Sequence, residues 1–325
     1  MYDPARDKWS VPVRVNENGK RVMALADDPE GKNVIREHYN SKPNNRQNER
    51  KMSSILGLRG LNNFIKAILI DRYSHPDTVA LDLACGKAGD LFKWSNACIS
   101  GLIGVDIADI SIEHAKERFQ QLHRKTFWVD FVSGDAFTTP LAKLVDPKAF
   151  PVDCISCQFA FHYAFSCEAQ ARKALENISQ CLVKGGMFFG TIPNAEYLLE
   201  NLKLKGQQWG NSVFQITFDK PTFDADSPYG NKYSFTLKEA VDEVPEYVVP
   251  TDTFKDLAKE YGLECVMFLP FKEFFYDAIL DTGIRSAAIN KGLLNQSNNQ
   301  ISIPPDELDA CFVYSAFCFK KVSDL

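Results

Sequence analysis

The 325-residue chain has no uninterrupted apolar run of about 18 residues, which excludes a membrane-spanning helix. Its first residues, MYDPARDKWSVPV, lack a basic segment followed by an apolar one, so no secretory leader is expected. A disulfide framework is missing too: the nine cysteines are odd in number and scattered through apolar segments, which points to a reducing compartment. One C-x-x-C, Cys154 and Cys157 in DCISCQF, has no second pair at zinc-site spacing and reads as part of a buried strand. Strong net charge is also lacking. At −5, the chain is not expected to coat nucleic-acid backbone through bulk electrostatics. Between Lys32 and Arg72, however, nine Lys and Arg face three acids, which leaves a local basic patch or a solvated helix face as alternatives. No internal repeat is visible.

Patterning supplies what composition does not. Two β-prone runs, VPVRV and KRVMAL, flank Asn18-Gly19 and predict a hairpin in the first thirty residues. Residues 40 to 50, NSKPNNRQNER, read as a loop or linker. From Leu58 to Arg72, Leu61, Phe64, Ile65, Ile68 and Leu69 recur at helical spacing, while Arg59, Asn62, Asn63 and Lys66 make one polar cluster on the opposite face. Strands at Val79–Leu83, Leu102–Val105, Phe131–Ser133, Val152–Gln158 and Met187–Ile192 then alternate with helices at Asp90–Asn96, Ser111–Leu122 and Glu168–Leu182, the last stopped by Gly185-Gly186. That alternation predicts a doubly wound α/β sheet. It ends after Pro193. A helix returns at Thr253–Tyr261, and Cys265–Phe271 with Cys311–Lys320, separated by a polar stretch KGLLNQSNNQ expected to be mobile, suggests two closing antiparallel strands.

The segment VALDLACGKAGD, residues 79–90, is a strand breaking into a glycine-containing turn that opens a helix. Backbone at Gly86 and Gly89 is thereby placed close to a ligand at the carboxyl end of the first strand. The G-x-G-x-x-G pattern of a dinucleotide site is absent, since positions 84, 86 and 89 are Ala, Gly and Gly. Asp106 ends the second strand, where a carboxylate reaches ribose hydroxyls. Asp135, after the third strand, can accept the amine of an adenine. With Asp82, three acids at strand ends suit a ligand with a cationic centre and an ammonium group, which describes S-adenosylmethionine.

The sequence resembles the messenger RNA cap guanine-N7 methyltransferase family from about Val34 onward. The segments carrying the resemblance are HYNS (38–41), LRGLNNFIK (58–66), LDLACGKAGDL (81–91), GVDIADISI (104–112), SCQFAFHYAF (156–165), GTIPN (190–194), YGNKYSF (229–235), VPEYVV (244–249) and CFVYSAFCFKK (311–321). The family's turn usually reads L-G-C-G-K-G-G-D, so Ala84 and Ala88 replace two glycines. Either the backbone angles there are ordinary or cofactor affinity is reduced.

The resemblance implies a Rossmann-like class I sheet, mostly parallel with an antiparallel C-terminal hairpin. It sets apart residues 1–45 as an extension and 46–325 as one domain, with an insertion at about 196–252 bordering the substrate pocket. Lys66 should pair with the methionine carboxylate, Gly86 should lie near the amino-acid part with Gln158 behind it, and Asp82, Asp90, Asp106, Asp135 and Tyr163 should complete the cofactor site. Asn62, Asn63, Phe159, His162, Tyr163, Glu246 and Tyr314 should surround the cap guanine, and Arg46, Arg50 and Lys51 should meet the triphosphate. Guanine N7 carries a lone pair and no proton, so no general base is needed, and the work falls to orientation. Positive charge moving onto the purine strengthens its N1–H and amine as donors, so a carboxylate there binds the transition state best. Glu246 is assigned that role, with His162 and Tyr163 positioning the base. The implied cofactor is S-adenosylmethionine, giving S-adenosylhomocysteine, with no metal. The implied partners are capped RNA and, at one remove, other capping enzymes or RNA polymerase II in the nucleus. Two rivals stand beside this reading: a class I methyltransferase of another substrate, and a cap-binding module that has lost turnover through Ala84 and Ala88.

Overall fold

The computed structural model describes residues 31–42 and 53–324 in full, the helical backbone of residues 29 and 30, and four two-residue strands before them. Among those short strands, Arg14–Val15 pairs antiparallel with Arg21–Val22, on either side of the Asn18-Gly19 expected to turn a hairpin. Arg46, Arg50 and Lys51 lie outside the described residues.

A seven-stranded sheet forms the frame. Its strands are β1 (Val79–Leu83), β2 (Gly101–Asp106), β3 (Trp128–Ser133), β4 (Val152–Gln158), β5 (Leu182–Pro193), β10 (Leu263–Pro270) and β11 (Tyr314–Lys321), in the order β10-β11-β5-β4-β1-β2-β3. Strands β5-β4-β1-β2-β3 pair in parallel, whereas β11 runs antiparallel to both β5 and β10. Strands buried on both faces read as nearly continuous apolar runs. VALDL of β1 sends Ala80 into one core and Leu81 and Leu83 into the other. Helices α2 (Leu56–Tyr73), α3 (Leu91–Asn96), α4 (Asp109–Gln120) and α8 (Phe271–Ala278) feed the first core, and α5 (Glu168–Cys181) and α7 (Thr251–Glu260) the second. The order β4-β1-β2 reverses at β1, so a crevice opens at the carboxyl ends of β1, β2 and β4.

Three sequence expectations change. The helix before β5 stops at Cys181, not at the glycine pair; Gly185-Gly186 lies inside β5, where a Cβ on Gly186 would come 2.7 Å from the Asp153 carbonyl. Cys311 and Phe312 are helical. They end α10 (Pro305–Phe312), with Pro305 in its first turn, and β11 starts only at Tyr314. Within KGLLNQSNNQ, Leu293 and Leu294 are buried and Leu294 bridges to Ile301, which pins the segment to the first core.

The stretch after Pro193, where the alternation ceased, forms α6 (Ala195–Lys205) and a four-stranded antiparallel sheet of β6 (Gln208–Gly210), β7 (Phe214–Phe218), β8 (Lys232–Leu237) and β9 (Val241–Tyr247). Tyr233, Phe235 and Leu237 alternate inward along β8, the period-two pattern of a sheet with one buried face. Helix α1 (Pro29–Ser41) takes in Asn40 and Ser41, the first two residues of the expected loop, packs on β9 and runs across the crevice. A further helix, α9 (Thr282–Asn290), starts on Asp281, whose Oδ1 accepts from the Gly283 and Ile284 amides at 2.8 and 2.9 Å.

Candidate functional site

Side chains from the ends of four parallel strands line a cavity of about 230 Å³, closed by α1 and the last residue of β9. Six of the residues expected at a cofactor or cap site border it: Gly86, Asp106, Asp135, Gln158, Phe159 and Tyr163. Sequence reasoning missed Lys32, Ile35 and Tyr39, which α1 supplies at i, i+3 and i+7 to one wall, and Tyr247 from β9. HYNS carried the family pattern, but nothing in it announced that Tyr39 faces the site.

The turn after β1 departs from ordinary geometry at three places. Ala84, Gly86 and Ala88 all take the left-handed conformation, with φ of 54°, 53° and 50°. For alanine this region is strained, so the first of the two alternatives for Ala84 and Ala88 is excluded: their angles are those a glycine would take. The turn is held from across the crevice. Asp106, buried at the end of β2, accepts from the Gly86 amide at 2.7 Å through Oδ2 and from the Ala108 amide at 2.8 Å through Oδ1. Burial pushes the Asp106 carboxyl up, and those two amides oppose the shift. One acceptor direction on each oxygen remains, which suits paired hydroxyl donors.

Asp82, Asp90 and Lys66 do not border the cavity; they make a buried charge cluster beneath the turn. Lys66 and Lys93 both reach Asp90 Oδ1, at 2.8 and 2.6 Å. Burial works against charge on Asp90, but the two ammonium groups hold its carboxyl down to about 2. Asp82 fares differently: burial and then Asp90 push it up to about 7, against Lys66, Ser156 and Trp94. The polar residues of α2 find partners on neighbouring elements. Arg59 pairs with Glu239 at 3.6 Å, while Lys93 donates to Asn63 Oδ1 at 2.9 Å. The Oδ1 atom of Asn62 is buried and, among the described residues, has no hydrogen-bond partner.

The third group lies at the junction of the two sheets. Tyr233 and Glu246 are opposite one another in the β8–β9 register, and the tyrosine hydroxyl donates to Glu246 Oε2 at 2.7 Å. His162, in a 3-10 turn (Phe161–Ser166) after β4, stands 3.5 Å from Glu246 Oε1. His162 is 1% exposed, yet among the described residues neither ring nitrogen has a hydrogen-bond partner. Aromatic rings close in around the pair. Tyr163 lies 4.2 Å from the imidazole, and Phe159 meets Tyr314 edge-on at 4.8 Å. Burial pushes the hydroxyls of Tyr163, Tyr233 and Tyr314 well up and that of Tyr39 up to about 12, so all four stay protonated. Phe159 also takes a left-handed φ of 59°, uncommon for a bulky residue, with its amide fixed by Thr191 at 2.9 Å. Cys154 and Cys157 lie buried in β4, where burial pushes both thiols well up.

Residues 24–322 match the family model of the mRNA (guanine-N(7))-methyltransferase domain. The chain belongs to that family. Over 305 residues it is 40% identical to the mRNA cap guanine-N(7) methyltransferase of Saccharomyces cerevisiae, covering 89% of this chain and 70% of that protein. It is 38% identical to mRNA cap guanine-N(7) methyltransferase 1 of Arabidopsis thaliana, over 95% of this chain and 87% of that one. The Schizosaccharomyces pombe relative of the same name is 36% identical, with 89% and 82% covered. The family match begins before α1, so it includes the helix that walls the cavity.

Proposed function

We propose that the protein transfers a methyl group from S-adenosylmethionine to N7 of the guanosine that caps the 5′ end of messenger RNA, leaving S-adenosylhomocysteine. The observation that carries the acceptor is the buried pair His162 and Glu246. Buried polar groups are nearly always hydrogen-bonded, and a histidine whose two nitrogens are unmet among the described residues, beside a carboxyl and two tyrosines, suits a planar polar ring. The surrounding aromatic faces suit a stacked base.

The residues fit the cofactor. Asp106 keeps acceptor directions for ribose hydroxyls, and Asp135 stands at the neighbouring strand end for the adenine amine. The cofactor supplies a methyl group on a sulfonium when bound. Guanine N7 accepts that methyl without losing a proton, so the chain's own residues act by holding the base in line. Glu246 meets the N1–H and amine edge, whose donors strengthen as positive charge reaches the purine. Tyr233 fixes the Glu246 carboxyl through the 2.7 Å hydrogen bond, and Tyr163 and Phe159 restrict the tilt of the base.

Labelled methyl transfer to GpppN-capped RNA, uncapped RNA and free amino acids tests the proposal. Label in capped RNA alone is expected, and none there would reject it. Where caps are added sets the rest of the reading: a nuclear site of action, with other capping enzymes or RNA polymerase II as neighbours, which co-purification from nuclear extract would test.

A further inference from the structure

We infer that Lys32, on α1, is a positioning residue for cofactor recognition: it occupies one side of the Asp135 carboxylate and leaves a single oxygen direction to read the adenine amine. An ionised carboxylate offers about four acceptor directions. Three are taken. The Phe137 amide donates to Oδ1 at 3.0 Å, the Thr138 hydroxyl donates to Oδ2 at 2.5 Å, and Lys32 Nζ stands 3.3 Å from Oδ2. Among the described residues, what remains is the second direction on Oδ1, and Asp135 borders the cavity. A carboxylate free to rotate offers either oxygen to any donor; one held on three sides accepts from one place only. Hydrogen bonds to a carboxylate are among the strong ones, so the one oxygen direction left open is a firm acceptor for a neutral amine.

The helix bearing Lys32 has other anchors. Ile35 is buried, the Tyr39 and Tyr163 hydroxyls are 3.1 Å apart, Asn40 Nδ2 donates to Asp109 at 2.8 Å, and Asn40 Oδ1 accepts from the Ile110 amide at 3.1 Å. Loss of the lysine charge therefore leaves α1 docked. Lys32 acts through Asp135, so its effect follows the purine 6-amino group and not the ribose or the methionine part. The inference rests on the reading of Asp135 as the adenine acceptor, and the experiment separates the two.

Calorimetry with S-adenosylhomocysteine and with its analogue lacking the 6-amino group, on wild type, Lys32→Met, Lys32→Arg and Asp135→Asn, provides the test. Lys32→Met is expected to weaken the amino ligand about tenfold and the deamino ligand less than about twofold, with Lys32→Arg restoring affinity to within about threefold. At saturating S-adenosylmethionine, kcat of Lys32→Met should stay within about twofold of wild type, so that the loss falls on KM. Equal weakening of both ligands overturns the proposal, because Lys32 then acts through general docking of α1. No weakening of either overturns it as well. If Asp135→Asn fails to erase the preference for the amino ligand, the assignment of Asp135 itself falls. If Asp135→Asn erases it while Lys32→Met leaves it intact, only the role of Lys32 falls.

Discussion

Replacing Ala84 by glycine should stabilise the protein, although Ala-to-Gly changes normally destabilise. With φ at 54°, Ala84 sits where an L side chain crowds the following carbonyl, at about 1–2 kcal/mol. Glycine removes that strain but gains freedom in the unfolded chain, which offsets about 0.4–1 kcal/mol. Ala84 is half-buried, so little packing is lost, and the balance is a gain of about 0.5–1 kcal/mol. Ala88 shares the angle, at 50°, but is only 2% exposed; deleting its methyl forfeits about 0.8 kcal/mol of burial, and Ala88→Gly should be close to neutral. Ala67, half-buried in the middle of α2, supplies the control, where glycine should destabilise by about 1 kcal/mol. Urea unfolding at constant m-value reads all three changes. The strained turn already holds the glycine-like path, so the cost of the alanines falls on folding stability, and the loss of affinity set against ordinary angles should be small. Calorimetry should find S-adenosylhomocysteine binding to Ala84→Gly within about threefold of wild type. Destabilisation of Ala84→Gly matching that of Ala67→Gly would refute the strain argument. A tenfold or larger gain in affinity would instead favour the module whose turnover was lost through these alanines.

Other expectations follow from the same geometry. Glu246→Gln keeps the shape but removes the charge that answers the developing cation, so transfer to capped RNA should fall about a hundredfold with S-adenosylhomocysteine affinity unchanged; a loss under threefold would reject the role. Asp82, pushed up to about 7 by burial and Asp90, makes the folded chain bind more protons than the unfolded one below that pH, so its contribution to stability is lost as pH rises toward 7. The melting temperature of Asp82→Asn should therefore gain on wild type between about pH 5 and 8, and a constant difference would contradict the shift. Gly190 lies between β4 and β11, where an added Cβ would stand 1.9 Å from the Cys157 carbonyl oxygen. Gly190→Ala should cost about 4 kcal/mol or more, visible as loss of cooperative unfolding by circular dichroism, and a wild-type transition would show that the sheet yields there.

Much of the frame is legible in the residues because parallel strands advertise themselves. VALDL and VDCISCQ are apolar runs bounded by Pro, Gly or loop residues, and both strands begin and end where those boundaries fall. The carboxyl ends of such strands locate Asp106 and Asp135 without any knowledge of packing, since the chain must leave the sheet there. The antiparallel sheet is harder. Phe214–Phe218 and Lys232–Leu237 are separated by thirteen residues of loop, and each alternates over only five or six positions. Helix α10 did carry a signal, a proline followed by Asp306 and Glu307 at the head of an apolar stripe, but the β-prone YSAFCF run that follows masks where it ends.

The site divides along the same line. What depends on chain direction alone, a glycine turn or an acid at a strand end, can be read in sequence. What depends on register or docking cannot. Tyr233 and Glu246 become partners only because β8 and β9 pair with Tyr233 opposite Glu246; a slip of one residue would put Pro245 or Tyr247 opposite the tyrosine and turn the carboxyl to the other face. Lys32 and Asp135 are 103 residues apart, and only the docking of α1 brings them to 3.3 Å. Lys66 shows the middle case. Its place on the polar face of α2 is readable from helical periodicity, but its actual partner is Asp90, shared with Lys93. That triad carries one net positive charge beneath the turn, so Lys66 can meet a ligand carboxylate without leaving Asp90 unpaired, because Lys93 keeps its hold on the same oxygen.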